Sequence, residues 1–276
     1  MRIALALPAC LLLASGTASA WGDCKFSAER ALDIAPLGAV TLALSTGAGD
    51  LEVRGDAKAK QIELRGRACA SSQELLDQIQ FVAQPMGDRI EAQTQMPKLE
   101  GGWGGGQASI DVHVVMPTDL ILDLRDSSGD LDVRGVAALK LKDSSGDISV
   151  REITGSVEIA DSSGDIEVDG VWGDVLVIND SSGDIEITAV KGDARVRVDS
   201  SGDIELRDIG KNAEVGRDSS GGIVFSGIGG NAHVGSDSSG SIRASKVVGD
   251  FTVDNDTNGD ISHHDIGGRI AVPARR

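Results

Sequence analysis

Asp-Ser-Ser-Gly-Asp-Ile-Glu-Val-Asp-Gly-Val-Trp-Gly-Asp-Val-Leu-Val-Ile-Asn, residues 161–179, is one full lap of a pattern that fills the second half of this chain. Its opening five residues recur at Asp126–Asp130, Asp143–Asp147, Asp180–Asp184 and Asp199–Asp203. Asp218–Gly222 and Asp237–Ser241 keep the first four letters and lose the second Asp, and Asp256–Asp260 is the variant Asp-Thr-Asn-Gly-Asp. From first Asp to first Asp the step is 17 residues, then 18, then 19 five times over. A fixed period near 20 residues marks a stacked-repeat architecture.

Within a lap the apolar letters alternate. Ile166 and Val168 follow the turn, as Leu131 and Val133, Ile148 and Val150, Ile185 and Ile187, and Ile204 and Leu206 do in other laps. A further apolar position comes at Val136, Ile153, Val171, Val190, Ile209, Ile228, Val247 and Ile266. Gly155, Gly173, Gly192, Gly230, Gly249 and Gly268 come two residues later, usually before Asp or Asn. This reads as a second turn, built from residues that tolerate left-handed backbone angles. Period two means strands with one buried and one wet face.

A hairpin meander satisfies that alternation as well, but it does not call for the same turn on every lap. In-register stacking of coils does. The expected fold is therefore all-β: a parallel β-solenoid of about eight coils of 17–19 residues, rising ~4.8 Å per coil to a rod on the order of 40 Å long. Leu122 and Leu124, Leu139 and Leu141, and Val157 and Ile159 lie four and two residues before their Asp. Val175 and Val177, Ala194 and Val196, and Ala213 and Val215 lie five and three before theirs. A one-residue slip would turn every apolar side chain outward. The extra residue must be absorbed at the turn, changing the coil shape after Asp161.

The chain divides into residues 1–20 as a signal peptide, 21–118 as a strand-rich N-terminal cap region and 119–276 as the solenoid repeats. Arg2, the apolar run Ile3–Ala14 and Ala18-Ser19-Ala20 have the form of a cleaved secretory leader. In the cap region, Val40–Ser45, Leu51–Val53, Gln61–Leu64, Ile90–Thr94 and Ile110–Val115 read as strands. Gly47-Ala48-Gly49-Asp50 reads as a degenerate first copy of the repeated turn. Ser71-Ser72-Gln73-Glu74 has the form of a capping box opening one short helix. Gly101–Gly106 forms a glycine loop around Trp103.

Composition narrows the function. The 276 residues carry a net charge of −17, 36 Gly, 4 Phe, 3 Trp and no Tyr. A narrow aliphatic core accounts for so few rings. The acidity argues against nucleic acid and anionic membranes as partners, and no apolar stretch is long enough to span a bilayer. The expected location is exported, either periplasmic or cell-surface and secreted. There Cys24 and Cys69, the two cysteines left after cleavage, pair as a disulfide.

The repeated turn admits two chemistries. Asp side chains cap their own turn by accepting N–H bonds one or two residues on, and Gly supplies the positive φ. Alternatively, stacked carboxylates repel across ~4.8 Å, and calcium on Asp161, Asp165, Asp180, Asp184, Asp199 and Asp203 relieves them. The calcium nonapeptide and EF-hand spacings are both absent, so no metal is assigned and no cofactor is expected. No catalytic residues are assigned either. Aspartates spread evenly over the laps behave as structural residues, and the Ser-Gly turns repeat too uniformly to be nucleophiles. His263-His264-Asp265 is the one compact ligand cluster, and by parity His263 sits in a terminal core slot rather than a metal site. Hydroxyls lying in a charged turn argue against an ice-binding face.

Thr-Gly-Ala-Gly-Asp-Leu-Glu-Val (Thr46–Val53), then Val-Met-Pro-Thr-Asp-Leu (Val115–Leu120) leading into Ser-Ser-Gly-Asp-Ile turns, resemble the bacterial putative-adhesin domain family. These are exported β-solenoid repeat proteins of largely unknown function. The resemblance implies fold and broad location and supplies no catalytic residues. The expected function is a non-enzymatic structural or adhesin-like solenoid acting by surface or end-to-end interactions. The C-terminal coil edge is the candidate for self-association, and a cell-surface component or glycan is the candidate ligand. The alternative is a polysaccharide-binding or -cleaving solenoid, with or without calcium.

Overall fold

A computed structural model describes residues 24–99 and 106–274 of the chain. The leader, the Trp103 loop and Arg275-Arg276 lie outside the described residues. The N-terminal part contains β1 (Phe26–Ile34), β2 (Thr41–Ser45), β3 (Leu51–Gly55), β4 (Ile62–Ala70), α1 (Gln73–Gln78), β5 (Gln80–Met86), β6 (Arg89–Gln95) and β7 (Ala108–Met116). Each repeat then gives two strands. The first four pairs are β8 (Ile121–Arg125) and β9 (Leu131–Arg134), β10 (Ala138–Lys142) and β11 (Ile148–Ile153), β12 (Val157–Ala160) and β13 (Ile166–Val171), and β14 (Val175–Asn179) and β15 (Ile185–Val190). The next four are β16 (Ala194–Val198) and β17 (Ile204–Ile209), β18 (Ala213–Asp218) and β19 (Ile223–Ile228), β20 (Ala232–Asp237) and β21 (Gly240–Val247), and β22 (Phe251–Asp256) and β23 (Gly259–Ile266). The two-residue β24 (Ile270–Ala271) follows.

The even repeat strands form one sheet and the odd ones the other, each strand pairing in parallel with its equivalent one lap away. Register keeps like on like: Ile148, Ile166, Ile185, Ile204, Ile223 and Ile242 form one column down the odd sheet. The two inner faces meet in a core about one side chain deep from each sheet. In one lap Ile166, Val168, Val171, Val175 and Val177 are all at most 1% exposed. Burying such a side chain contributes about 1.5–3 kcal/mol, so every coil has its own share of core and depends on its neighbours to seal it. The longer lap is accommodated not in the turn, as expected, but by a β-bulge near the end of β14, where Ile159 faces Val177 but Ala160 faces Asn179. Ile178 is the added residue, and the apolar side chains on both sides of it stay inward.

The N-terminal strands belong to the same two sheets but do not stack in chain order. β2 and β3 pair in parallel with β8 and β9, while β6 and β7 lie on their far side. Beyond these, β4 and β1 extend one sheet antiparallel and β5 extends the other antiparallel. β1 and β5 were not legible as strands. β1 is an edge strand with no buried position, and β5 carries Pro85 at an edge. The helix forms where expected, but its N-cap is Ser72, whose Oγ accepts from the Leu75 amide. Ser71 instead accepts from the Gln107 amide, tying the helix entry to the strand region before β7. Cys24 and Cys69 are joined, their Cα atoms 5.6 Å apart, fastening the start of β1 to β4.

Both repeated glycine positions are explained by close stacking. The turn glycines, such as Gly183 and Gly202, have φ of +129° and +127°, and a Cβ there would lie 2.0 and 1.8 Å from the carbonyl oxygen one lap back. The second-turn glycines do not take left-handed angles, contrary to the sequence reading. A Cβ on Gly173 would lie 2.6 Å from Gly155, and that crowding alone selects Gly. The left-handed bend lies three residues earlier, at Gly135, Glu152, Gly170, Ala189, Asp208, Gly227, Lys246 and Asp265.

Candidate functional site

The turn edge carries two parallel columns of carboxylates in opposite environments. The first Asp of the turn is buried on seven successive laps: Asp126, Asp143, Asp161, Asp180, Asp199, Asp218 and Asp237 are all at most 7% exposed. The second Asp is exposed, and its carboxylate binds the next lap rather than its own turn. Asp165 Oδ1 accepts from the Asp184 amide and Asp184 Oδ1 from the Asp203 amide, both at 2.8 Å. Asp203 passes the bond to the Gly222 amide at 2.7 Å. The chain of bonds starts back at Asp111, Asp50 and Asp130. The chain of bonds ends at Gly222, whose amide donates to Asp203 but which has no carboxylate to offer the next lap.

The inner column does part of the capping expected of it. Asp199 accepts from the Ser200 amide at 2.7 Å, Asp218 from Ser220 at 3.2 Å and Asp237 from Ser239 at 3.1 Å. At Asp143, Asp161 and Asp180 neither carboxylate oxygen meets an aligned donor. Nearby serine amides favour the charged form there without completing a hydrogen bond. Burial raises the whole column above the ordinary carboxylate range, Asp143 and Asp218 to about 7 and Asp180 to about 6, and neighbouring aspartates add to the rise. Asp126, Asp161, Asp199 and Asp237 shift in the same direction, again chiefly by burial.

The second serine of the turn is committed in the same way on several laps. Ser163, Ser201, Ser220 and Ser239 donate their hydroxyls to a serine carbonyl about one lap back, at 3.0–3.2 Å. A further ladder runs along the second turn, where Asp174, Asp193, Asn212 and Asn231 each accept the amide one lap on. Of the six calcium candidates, Asp161, Asp180 and Asp199 are therefore buried between the sheets, while Asp165, Asp184 and Asp203 are outside and bonded to amides. Among the described residues no three His, Cys, Asp or Glu side chains are grouped to hold a metal ion. His263 does occupy the core column, paired with Ala244 and 6.1 Å from the Phe251 ring, but it is exposed at the end of the stack.

One grouping departs from the repeat. Where the antiparallel β4 meets the parallel strands, Arg65, Arg67 and His113 share a groove of about 680 Å³ with Glu29, Glu52 and Asp132. His113 Nδ1 lies 3.0 Å from Glu52 and Arg65 is 2.6 Å from Asp33. Among the described residues no Phe, Tyr or Trp lines the groove. Little in the residue order announces it. Arg65, His113 and Glu52 are scattered along the chain and meet only because β7 stacks beside β3.

The fold and its turn edge define a class: a parallel β-solenoid whose repeated acidic turns are bonded lap to lap. Residues 98–266 match the Toastrack DUF4097 family, and the chain belongs to it. This agrees with the resemblance to the putative-adhesin domain family. None of the curated proteins matches the chain. Among solved structures it is similar to a putative lipid binding protein from Parabacteroides distasonis, with 16% identity, a TM-score of 0.41, and 90% of this chain and 97% of that one covered. A putative adhesin from Parabacteroides merdae aligns with 9% identity and a TM-score of 0.33, over 90% and 96% of the two chains. A putative cell adhesion protein from Clostridium sporogenes aligns with 12% identity and a TM-score of 0.29, over 90% and 99%. No helix among the described residues is long and apolar enough to cross a membrane.

Proposed function

We propose that the protein is an exported, non-enzymatic structural or adhesive solenoid that acts through its long faces or its ends. The observation that carries this reading is the commitment of the turn chemistry. Turn hydroxyls such as those of Ser163 and Ser201 and the outer carboxylates are donors and acceptors in bonds between laps. What remains for a partner is the outward face of each sheet and the C-terminal edge strands, β23 and β24, each of which pairs on one side only among the described residues. The leader-like N-terminus and the Cys24–Cys69 disulfide support export to an oxidising compartment.

A second reading, glycan binding, is favoured by the groove at Arg65, His113 and Glu52, where bases and acids converge outside the repeat. The purified mature chain screened against envelope glycans, with calcium or with a chelator, tests both readings. Binding without turnover, unchanged in an Arg65→Ala/His113→Ala variant, supports the face-acting solenoid. Loss of binding in that variant assigns the groove to a glycan. Turnover of any polysaccharide sinks the non-enzymatic reading.

A further inference from the structure

The inner aspartates hold most of the chain's unsatisfied polarity. Of fifteen buried side-chain polar atoms that meet no protein partner among the described residues, eleven are carboxylate oxygens of Asp126, Asp143, Asp161, Asp180, Asp199, Asp218, Asp237 and Asp256. Apart from Asp256, these residues are at least nine-tenths buried, one per lap in a continuous column. Buried carboxylates left without donors are costly unless they are neutralised or paired. Among the described residues no cationic side chain pairs with the column. Arg125, Lys142 and Arg217 each precede an inner aspartate, but they are exposed on the opposite face of the strand, and none of the ion pairs among the described residues includes an inner aspartate. The other groups that face the column are the Thr46 hydroxyl and Asp50 at Asp126, Asp184 at Asp199, and Asp256 at Asp237. All but the hydroxyl are acidic, so they too disfavour full ionisation.

We propose that the column from Asp126 to Asp237 is a proton-sharing carboxyl ladder, in which a carboxylic acid on one lap donates to the carboxylate of the next, and that losing these protons loosens the turn edge. A carboxylic acid has one O–H donor and keeps acceptor capacity, so alternating protonated and ionised groups satisfy oxygens that no amide reaches. The ladder is a pH-sensitive element built into the coil stack. The folded chain holds protons that the unfolded chain releases near pH 3.8, and Asp143 and Asp218 keep theirs to about 7. Between those limits the folded state binds more protons. Its stability is therefore fullest at acid pH and declines as pH rises towards and through 7. Most proteins lose stability on acidification over this range, because their carboxylates shift the other way.

The test is a pH series of thermal melts from pH 5 to 8, with a carbon-13 NMR titration of the aspartate carboxyl carbons of the intact mature chain. A Tm that falls by several degrees over the series, with a set of aspartates titrating above pH 6, supports the ladder. Asp143→Asn/Asp218→Asn supplies an amide donor at every pH. It should flatten the fall and raise Tm at pH 8, whereas Asp130→Asn/Asp147→Asn in the outer column should leave the slope unchanged. A wild-type Tm that is flat or rises from pH 5 to 8 would overturn the proposal, as would every aspartate titrating near 4. So would a folded state at pH 5 to 6 that depends on added calcium or potassium while no inner carboxyl holds a proton. If the inner variant does not fold, the wild-type titration decides alone.

Discussion

Asp180 and Asp184 belong to one turn and to one repeated motif, yet they face different problems. The first is 1% exposed, with neither carboxylate oxygen met by an aligned donor, and burial pushes it up to about 6. The second is exposed and accepts the amide of Asp203 at 2.8 Å. The outer carboxylate is a connector between laps and stays solvated. The inner one is enclosed by the stacking it shares in, and its charge is the price of closing the turn. A column of identical letters can therefore be structural in two opposed senses. One works as an exposed acceptor between laps, and the other is tolerable only when its charge is suppressed.

The sharpest way to break the comparison is to part the laps that create both columns. Gly202 stands between Asp199 and Asp203 at φ +127°, and a Cβ there would lie 1.8 Å from the Gly183 carbonyl oxygen. Gly202→Ala should cost about 3–5 kcal/mol, or prevent folding, because a backbone atom cannot step aside. Gly87→Ala is the control. Gly87 also has a positive φ, +67°, but nothing lies within 4 Å of its Cβ position, so only the ~1 kcal/mol conformational cost applies. Urea titration of both variants checks the difference, and equal losses would show that φ rather than stacking selects the turn glycine.

Charge reversal comes next in size. Asp218→Lys places an ammonium group in the 0%-exposed inner slot and should cost about 3 kcal/mol or more. Asp203→Lys removes the acceptor for the Gly222 amide at an exposed position and should cost about 1 kcal/mol. If the two losses are equal, the environments of the columns do not differ as their burial says.

How much of this was legible in the sequence follows the same divide. Period, strand alternation and the inward columns were readable because the core selects Ile, Val and Leu at fixed spacing. The slip at Ile178 was readable because apolar parity cannot be broken. The burial of the first Asp was not, since Asp180 and Asp184 are the same letter and only three-dimensional closure of the turn separates them. The left-handed bend was hidden for a related reason. Glu152, Ala189 and Lys246 occupy it with φ of 58°, 57° and 53°, and none of these letters announces a positive φ. The groove at Arg65 and His113 was out of reach because it depends on β6 and β7 stacking outside β2 and β3, an order opposite to that of the chain.

The smallest effect bears on the turn hydroxyls. Ser201 donates to the Ser181 carbonyl at 3.0 Å in an exposed position, so Ser201→Ala should cost only about 0.5 kcal/mol. The bond recurs at Ser163, Ser220 and Ser239, each on a different lap. In a stacked-repeat fold stability is close to a sum over laps and their interfaces. Replacing all four serines by Ala should therefore cost about four times as much, on the order of 2 kcal/mol, measurable by urea titration where a single site is not. A hydroxyl row that served a ligand instead would leave stability untouched in the fourfold variant and abolish binding. Loss of stability with binding retained marks the row as a lap-to-lap fastening, alongside the outer carboxylates.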